Sequence, residues 1–296
     1  MPLQLTHRDE QTLLALLKLP LTSQQVFSLS RTFTDPFPSE RVTRRRLQRL
    51  AEERMIRRFY FAFPRSGRNP AYWRLTRRSY HLIGSLTGEL PLPKRSLFAA
   101  IGVSLHFHAY SVSQAVVKIL IDAQRNGIEI EDLKVETAID LGGEEQLVPD
   151  ATVELCCSER RLYRFHLEID TASERVATRQ RLPSSIQKKL ESYERYRRIA
   201  REPFRVLFLT TSSKRRAINI LQFAATLTGN FSARTIYATY LPEVLACPDA
   251  VTADVFLNHK LGPQKLARKP RFCRLGISTL SRDRIMADLN AKELTR

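Results

Sequence analysis

The chain has 296 residues, 43% of them apolar, and a formal net charge of +18 from 48 Lys+Arg against 30 Asp+Glu. That length buries a sizeable core in about two domains, and so large a positive excess points to a polyanionic partner. No stretch approaches the ~18 consecutive apolar residues of a membrane span, no C-x-x-C spacing suggests zinc, and Met1 to Thr6 leads into charge and not an apolar signal core, so a cytoplasmic protein is expected.

Along the chain, residues 1–98 carry 18 Lys+Arg against 7 Asp+Glu, residues 99–155 carry 3 against 10, and residues 156–296 carry 27 against 13. An acidic segment between two basic ones fits carboxylates gathered around a cation better than a uniform polyanion-binding coat.

The first elements are helical. Thr6-His7-Arg8-Asp9 and Thr22-Ser23-Gln24-Gln25 have the form of capping boxes, the first opening a helix that Pro20 stops. After Asp35-Pro36-Phe37-Pro38, Ser39 caps a third helix to about Glu53, with Val42, Leu47, Leu50 and Ala51 on a narrow stripe and Arg41, Arg44, Arg45, Arg46 and Arg49 elsewhere on its surface. Two strands follow, Arg58–Phe63 and Ala71–Leu75, joined by a turn carrying Arg65 and Arg68. Thr76 then caps a fourth helix. Three helices, a basic-tipped hairpin and a helix is the order of a winged helix-turn-helix domain over residues 1–88. In that arrangement the third helix enters the major groove of double-stranded DNA through Arg41, Arg44, Arg45 and Arg49, while Arg65 and Arg68 reach the backbone or minor groove. The eight residues from Arg31 to Pro38 are long for a helix-turn-helix turn.

Thr87 to Lys94, with Pro91 and Pro93, reads as a linker to a second domain over 97–257. There the pattern gives a helix at Ser111–Asn126, strands at Leu133–Ile139, Val148–Leu155 and Leu162–Asp170, a helix at Ser184–Arg198, a strand at Phe204–Leu209 and a helix at Lys214–Leu227. This α-β-β-β-α-β order is the common core of restriction-endonuclease-like folds. The expected fold class is therefore α+β or α/β, a winged helix followed by a mixed-sheet domain of that type. Residues 258–296 form a basic tail with Lys260, Lys265, Arg268, Lys269 and Arg271.

The chemistry centres on Pro149-Asp150 and Glu168-Ile169-Asp170. Period-two alternation places Glu168, Asp170 and His166 on one strand face, with Asp150 on the neighbouring strand and Glu136 before it. Carboxylates with open water positions suit magnesium or manganese held by Asp150, Glu168 and Asp170. Where such nucleases carry a strand lysine this chain has Asp170, and Lys189 is the candidate replacement, because Ile186, Lys189, Tyr193 and Tyr196 recur at helical spacing. The expected catalytic set is Asp150, Glu168, Asp170 and Lys189. Either acidic pair alone would be ordinary turn or surface chemistry. His106-Phe107-His108 reads as capping or core, not as a metal pair.

These residues in this order resemble the replication-relaxation family of plasmids and mobile elements. The motifs that carry the resemblance are the N-terminal helices, His108-Ala-Tyr-Ser-Val112, Glu136 ahead of Val148-Pro149-Asp150, His166-Leu-Glu168-Ile-Asp170 and Lys189-Leu-Glu-Ser-Tyr193. The resemblance implies a DNA-binding protein of plasmid replication, DNA relaxation or mobilisation, with a nuclease-like second domain and with replication or mobilisation proteins as partners. Thr171-Ala-Ser-Glu174 departs from the small turn expected after the strand. Two other readings stay open: a metal-dependent nickase targeted by the winged helix, and a transcriptional regulator whose second domain makes a homodimer.

Overall fold

The computed structural model describes residues 4–63, 69–88, 90, 92–156, 162–172, 176 and 186–267. It is a mixed α+β protein in two compact units. One runs to Ile121 and also takes Ile130–Asp132; the other holds Asp122–Glu129 and continues from Leu133.

The first unit begins with α1 (His7–Lys18), β1 (Leu21–Thr22) and α2 (Ser23–Leu29), and continues with α3 (Glu40–Glu52), β2 (Ile56–Tyr60), β3 (Ala71–Leu75) and α4 (Arg77–Thr87). Both expected capping boxes form, at Thr6 with Asp9 and at Thr22 with Gln25, so donors left over at each helix start are satisfied within the segment. Ser39 caps α3 by accepting from Val42 N, and Thr43, Leu47 and Leu50 are its buried stripe. The strands make an antiparallel sheet ordered β1-β3-β2, with β2 and β3 in unbroken register from Ile56↔Leu75 to Tyr60↔Ala71. Pairing starts two residues before the expected Arg58 because Ile56 is the residue the core takes. The hairpin tip with Arg65 and Arg68 lies outside the described residues.

The long connection from α2 to α3 is folded down tightly. A 3-10 turn at Ser30–Thr32 follows α2, and the Ser30 hydroxyl accepts from Phe37 N at 3.1 Å. Arg8 on α1 pairs with Asp35 and lies 4.9 Å over the ring of Phe37, which is buried. Its length is thus taken up by an anchor that the ring and the guanidinium supply together.

The expected domain break at Thr87–Lys94 is not where the compact units divide. The division falls within α5 (His106–Arg125), whose start belongs to the first unit. The physical reason is His106. Its Nδ1 accepts from Ala62 N at 2.7 Å, so Nε2 carries the proton and donates to Ile101 O at 2.9 Å. Phe61 and Tyr72 meet its ring edge to face, Tyr110 packs in turn on Phe61 and Phe63, and Ser113 donates to Pro20 O at 2.8 Å. His106 is therefore part of the packing.

The second unit is built on a seven-stranded sheet. Its strands are β4 (Glu129–Val135), β7 (Ala151–Cys156), β8 (Leu162–Asp170), β9 (Phe204–Thr210), β10 (Ile236–Tyr240), β11 (Phe256–Leu257) and β12 (Pro263–Gln264), in the order β12-β11-β10-β9-β8-β7-β4. A small hairpin, β5 (Ile139–Asp140) with β6 (Gln146–Leu147), interrupts the chain between β4 and β7 and turns on Gly142 and Gly143, both at positive φ. The helices are α6 (Ile186–Ile199), α7 (Lys214–Ala233) and the short α8 (Leu241–Ala246). β8, β9 and β10 run parallel, while β7 is antiparallel to β8, so the sheet is mixed. Phe204, Val206, Phe208, Ile236 and Ala238 meet Ile186, Leu190 and Tyr193 of α6 and Ala217, Ile220, Leu221 and Ala224 of α7 in one apolar core.

One buried ion pair fixes α3 in the first unit. Arg46 Nε donates to Asp9 Oδ1 at 2.7 Å, its Nη2 meets Oδ2, and Asp9 is wholly buried. Burial opposes ionisation of Asp9, but the Arg46 and Thr6 hydrogen bonds outweigh it and hold the carboxyl below its ordinary range. Arg46→Ala would strand a buried charge and should cost about 3–5 kcal/mol, whereas Arg45→Ala on the exposed side should stay within about 0.5 kcal/mol. Urea unfolding followed through Trp73, the one tryptophan in the chain and a residue of this unit, measures the difference.

Candidate functional site

Two arrangements carry chemistry, one in each unit. In the first, Arg41, Arg44, Arg45 and Arg49 are exposed on α3, while Arg46 is turned inward to Asp9. Arg44 shares an ion pair with Glu40 at 3.4 Å; among the described residues Arg41, Arg45 and Arg49 meet no carboxylate. The apolar stripe is narrow enough that the rest of the helix surface is free for guanidinium groups.

The second arrangement lies on the sheet face that carries α6 and α7. The register Ala151↔Leu167 continues by one residue to set Asp150 opposite Glu168. Asp150 Oδ2 accepts from Ile169 N at 2.6 Å, so the carboxylate closes the end of the β7–β8 ladder. Glu168 is almost fully buried. Its Oε1 accepts from the Tyr193 hydroxyl at 2.6 Å, and the Lys189 ammonium stands 2.9 Å from Oε2. Lys189 therefore reaches the strand carboxylate, as its helical spacing with Tyr193 predicts.

The ionisation of the cluster follows from its burial. Glu168 is pushed up to about 7, first by burial and then by the Asp150 charge, against the pull of Lys189 and Tyr193. Burial and the facing Glu168 charge raise the Tyr193 phenol well above its ordinary value, so it stays a donor. His166, two residues before Glu168, is held down at about 3 by burial and by the charges of Arg164 and Lys134, and is neutral. Its Nδ1 lies 2.9 Å from Thr152 Oγ1, and the rings of Tyr193, Tyr196 and Phe204 enclose it. His166 thus backs the site as a packed neutral ring.

Asp170 shares the strand face with Glu168 but answers to a different partner. Arg216 Nε donates to Oδ2 at 2.5 Å and Nη2 to Oδ1 at 2.8 Å, a bidentate fork that occupies both carboxylate oxygens. Oδ1 also accepts from Ala172 N at 3.1 Å. Because β8 and β9 are parallel, the start of α7, which follows β9, is brought beside the end of β8. Glu136 is exposed at positive φ just beyond β4, and its backbone N–H donates to Asp150 O at 3.3 Å. Among the described residues, no group of three potential ligand atoms converges at Asp150, Glu168 and Asp170. Asp170 has both oxygens taken up by its guanidinium fork, whereas Asp150 and Glu168 do not share that partner.

Arg216 is the functional neighbour that the sequence reading does not single out. Its signal was the Ser213 cap, which accepts from Arg216 N at 3.2 Å and fixes the arginine in the first turn of α7. The pairing itself depends on which strands are adjacent, which spacing along the chain does not express.

An exposed arginine helix and a buried carboxylate–lysine cluster, held in separate units, mark a basic α+β protein with a polar centre on its larger sheet. A family model described as Replication-relaxation matches residues 14–206, and the chain belongs to the replication-relaxation family. The match takes in α3, Asp150, Glu168, Asp170 and Lys189 and stops short of Arg216. No curated protein and no solved structure matched the chain. No helix among the described residues is long and apolar enough to cross a membrane.

The raised Glu168 has a signed consequence. Between the ordinary carboxylate value of 4.5 and about 7 the folded state binds a proton that the unfolded state has released. Stability from this group therefore falls as pH rises through that window. Glu168→Gln removes that dependence, so its stability relative to the native chain should rise from pH 5 to about pH 7 and level off above that in urea titrations. A difference that does not change with pH would contradict the assignment.

Proposed function

We propose that this protein binds double-stranded DNA in plasmid or mobile-element replication, DNA relaxation or mobilisation, and that its first unit is a winged helix-turn-helix domain. The observation that carries the reading is α3: one arginine is spent inside on Asp9, and four others, Arg41, Arg44, Arg45 and Arg49, are left exposed. The order α1-β1-α2-α3-β2-β3-α4 supports it, since a hairpin following the third helix is the layout of a winged helix. Membership of the replication-relaxation family supports the process. In this reading α3 lies in the major groove, guanidinium groups meet guanine edges and phosphates, and Arg65 and Arg68 extend the contact from the hairpin tip.

A second reading is favoured by one contact, that of Lys189 with Glu168. It makes the second unit a restriction-endonuclease-like domain with a relocated lysine, and the protein a metal-dependent DNA nickase. Asp150 and Glu168 would hold magnesium or manganese, which supplies Lewis-acid polarisation of a phosphodiester and a more acidic bound water. Lys189 would neutralise developing charge, and Tyr193 would hold Glu168 by Oε1. Asp170 has no part in this set, because Arg216 holds both its oxygens.

The first reading is tested with Arg45→Ala combined with Arg49→Ala. Duplex affinity should drop and the slope of log affinity against log salt should shrink by about 2, with unfolding unchanged; equal affinity would refute α3 as the DNA-contacting helix. The second reading is tested by incubating supercoiled plasmid with magnesium or manganese. Nicking that disappears in both Asp150→Ala and Glu168→Ala supports cleavage. A native chain that binds and leaves the plasmid supercoiled rules it out.

A further inference from the structure

We propose that Arg58, on the edge strand β2, is a DNA phosphate contact that sets the position of α3 on the duplex; the inference rests on the DNA-binding reading and adds a residue that reading does not include.

Cross-strand partners share a sheet face, and Arg58 pairs with Trp73 on β3. Trp73 Nε1 donates to the Ser23 hydroxyl at 3.0 Å, at the first residue of α2. Arg58 therefore lies on the face of the small sheet that carries α2, as do Ile56 and Tyr60 at two-residue spacing. Arg57 and Phe59 alternate to the opposite face, where Phe59 stacks on Tyr72 at 5.6 Å.

The guanidinium is held and unpaired. Its central carbon lies 5.4 Å from the Tyr60 ring centroid and 6.0 Å from that of Trp73. Tyr60 is 57% exposed while Trp73 is 3% exposed, so the stack has one ring in the core and one at the surface. No carboxylate among the described residues pairs with Arg58, in contrast to Arg46, Arg8 and Arg216. β2 is an edge, with β3 on one side only, so nothing in its own sheet covers it. Aromatic rings restrict the guanidinium plane without consuming its N–H donors, and this preorganises it for bidentate contact with a phosphate. Lysine keeps the charge and an attraction to the rings but lacks the planar fork that the stack orients.

The test measures duplex affinity between 50 and 300 mM salt for the full chain and for Arg58→Ala, Arg58→Lys and Arg57→Ala, with circular dichroism melting of each. Arg58→Ala should bind about three- to tenfold more weakly near 150 mM salt and lose about one from the salt slope. Arg58→Lys should recover the slope but only part of the affinity. Arg57→Ala, on the other face, should match the native chain. An Arg58→Ala chain that melts normally and keeps the native affinity and slope would overturn the inference, as would equal losses in Arg57→Ala and Arg58→Ala. A native chain that shows no salt-dependent duplex binding would instead bring down the DNA-binding reading on which it stands.

Discussion

The orientation of α3 depends on the buried pair of Asp9 and Arg46. A carboxylate with no exposure must have a charged partner, and Arg46 is the one residue of the α3 arginine series that supplies it. The pairing fixes the rotation of α3 about its own axis, together with Thr43, Leu47 and Leu50. Rotation in turn decides which arginines leave the surface and which remain on it. The same carboxylate caps α1 through Thr6, so one buried acid sets the start of one helix and the facing of another. Arg8, paired with Asp35 and lying over Phe37, then anchors the connection that delivers the chain to α3.

The second unit solves a related problem on its sheet. Glu168 and Asp170 are both buried acids on one strand face, and each has received a cation from a different helix: Lys189 from α6 and Arg216 from α7. The two pairs are not equivalent. Arg216 saturates Asp170 with a planar fork, which makes that aspartate a fastening between the end of β8 and the start of α7. Lys189 is a point charge beside one oxygen of Glu168, and Asp150 stands across the ladder. Of the four polar residues expected together here, Asp150, Glu168 and Lys189 stand as neighbours, with Tyr193 holding the glutamate and His166 filling the space behind it as a neutral ring.

Much of this is legible in the sequence where local rules dominate. The caps at Thr6, Thr22, Ser39 and Thr76 and the alternation along Leu162–Asp170 emerge as residue pattern requires, and so does the Ile186-Lys189-Tyr193 stripe. What alternation leaves open is the partner on the shared face. Glu168 and Asp170 point to the same side, yet two residues of strand are enough to carry Asp170 from α6 to the first turn of α7. That separation comes from the parallel pairing of β8 with β9, a non-local fact. The start of α5 was also hidden, since the pattern opens that helix only at Ser111, and His106, Phe107 and Tyr110 join it through their packing on Phe61 and Phe63. The strand Ile236–Tyr240 and the short hairpin at Ile139–Leu147 are too brief to stand out before their neighbours are known.

Whether the exposed arginines of α3 serve DNA is decided by the affinity of the native chain for a short duplex as salt is varied. With about six phosphates neutralised, log affinity against log salt should fall with a slope of roughly −5. A slope near zero, or no binding at low salt, would mean that these arginines do not serve DNA.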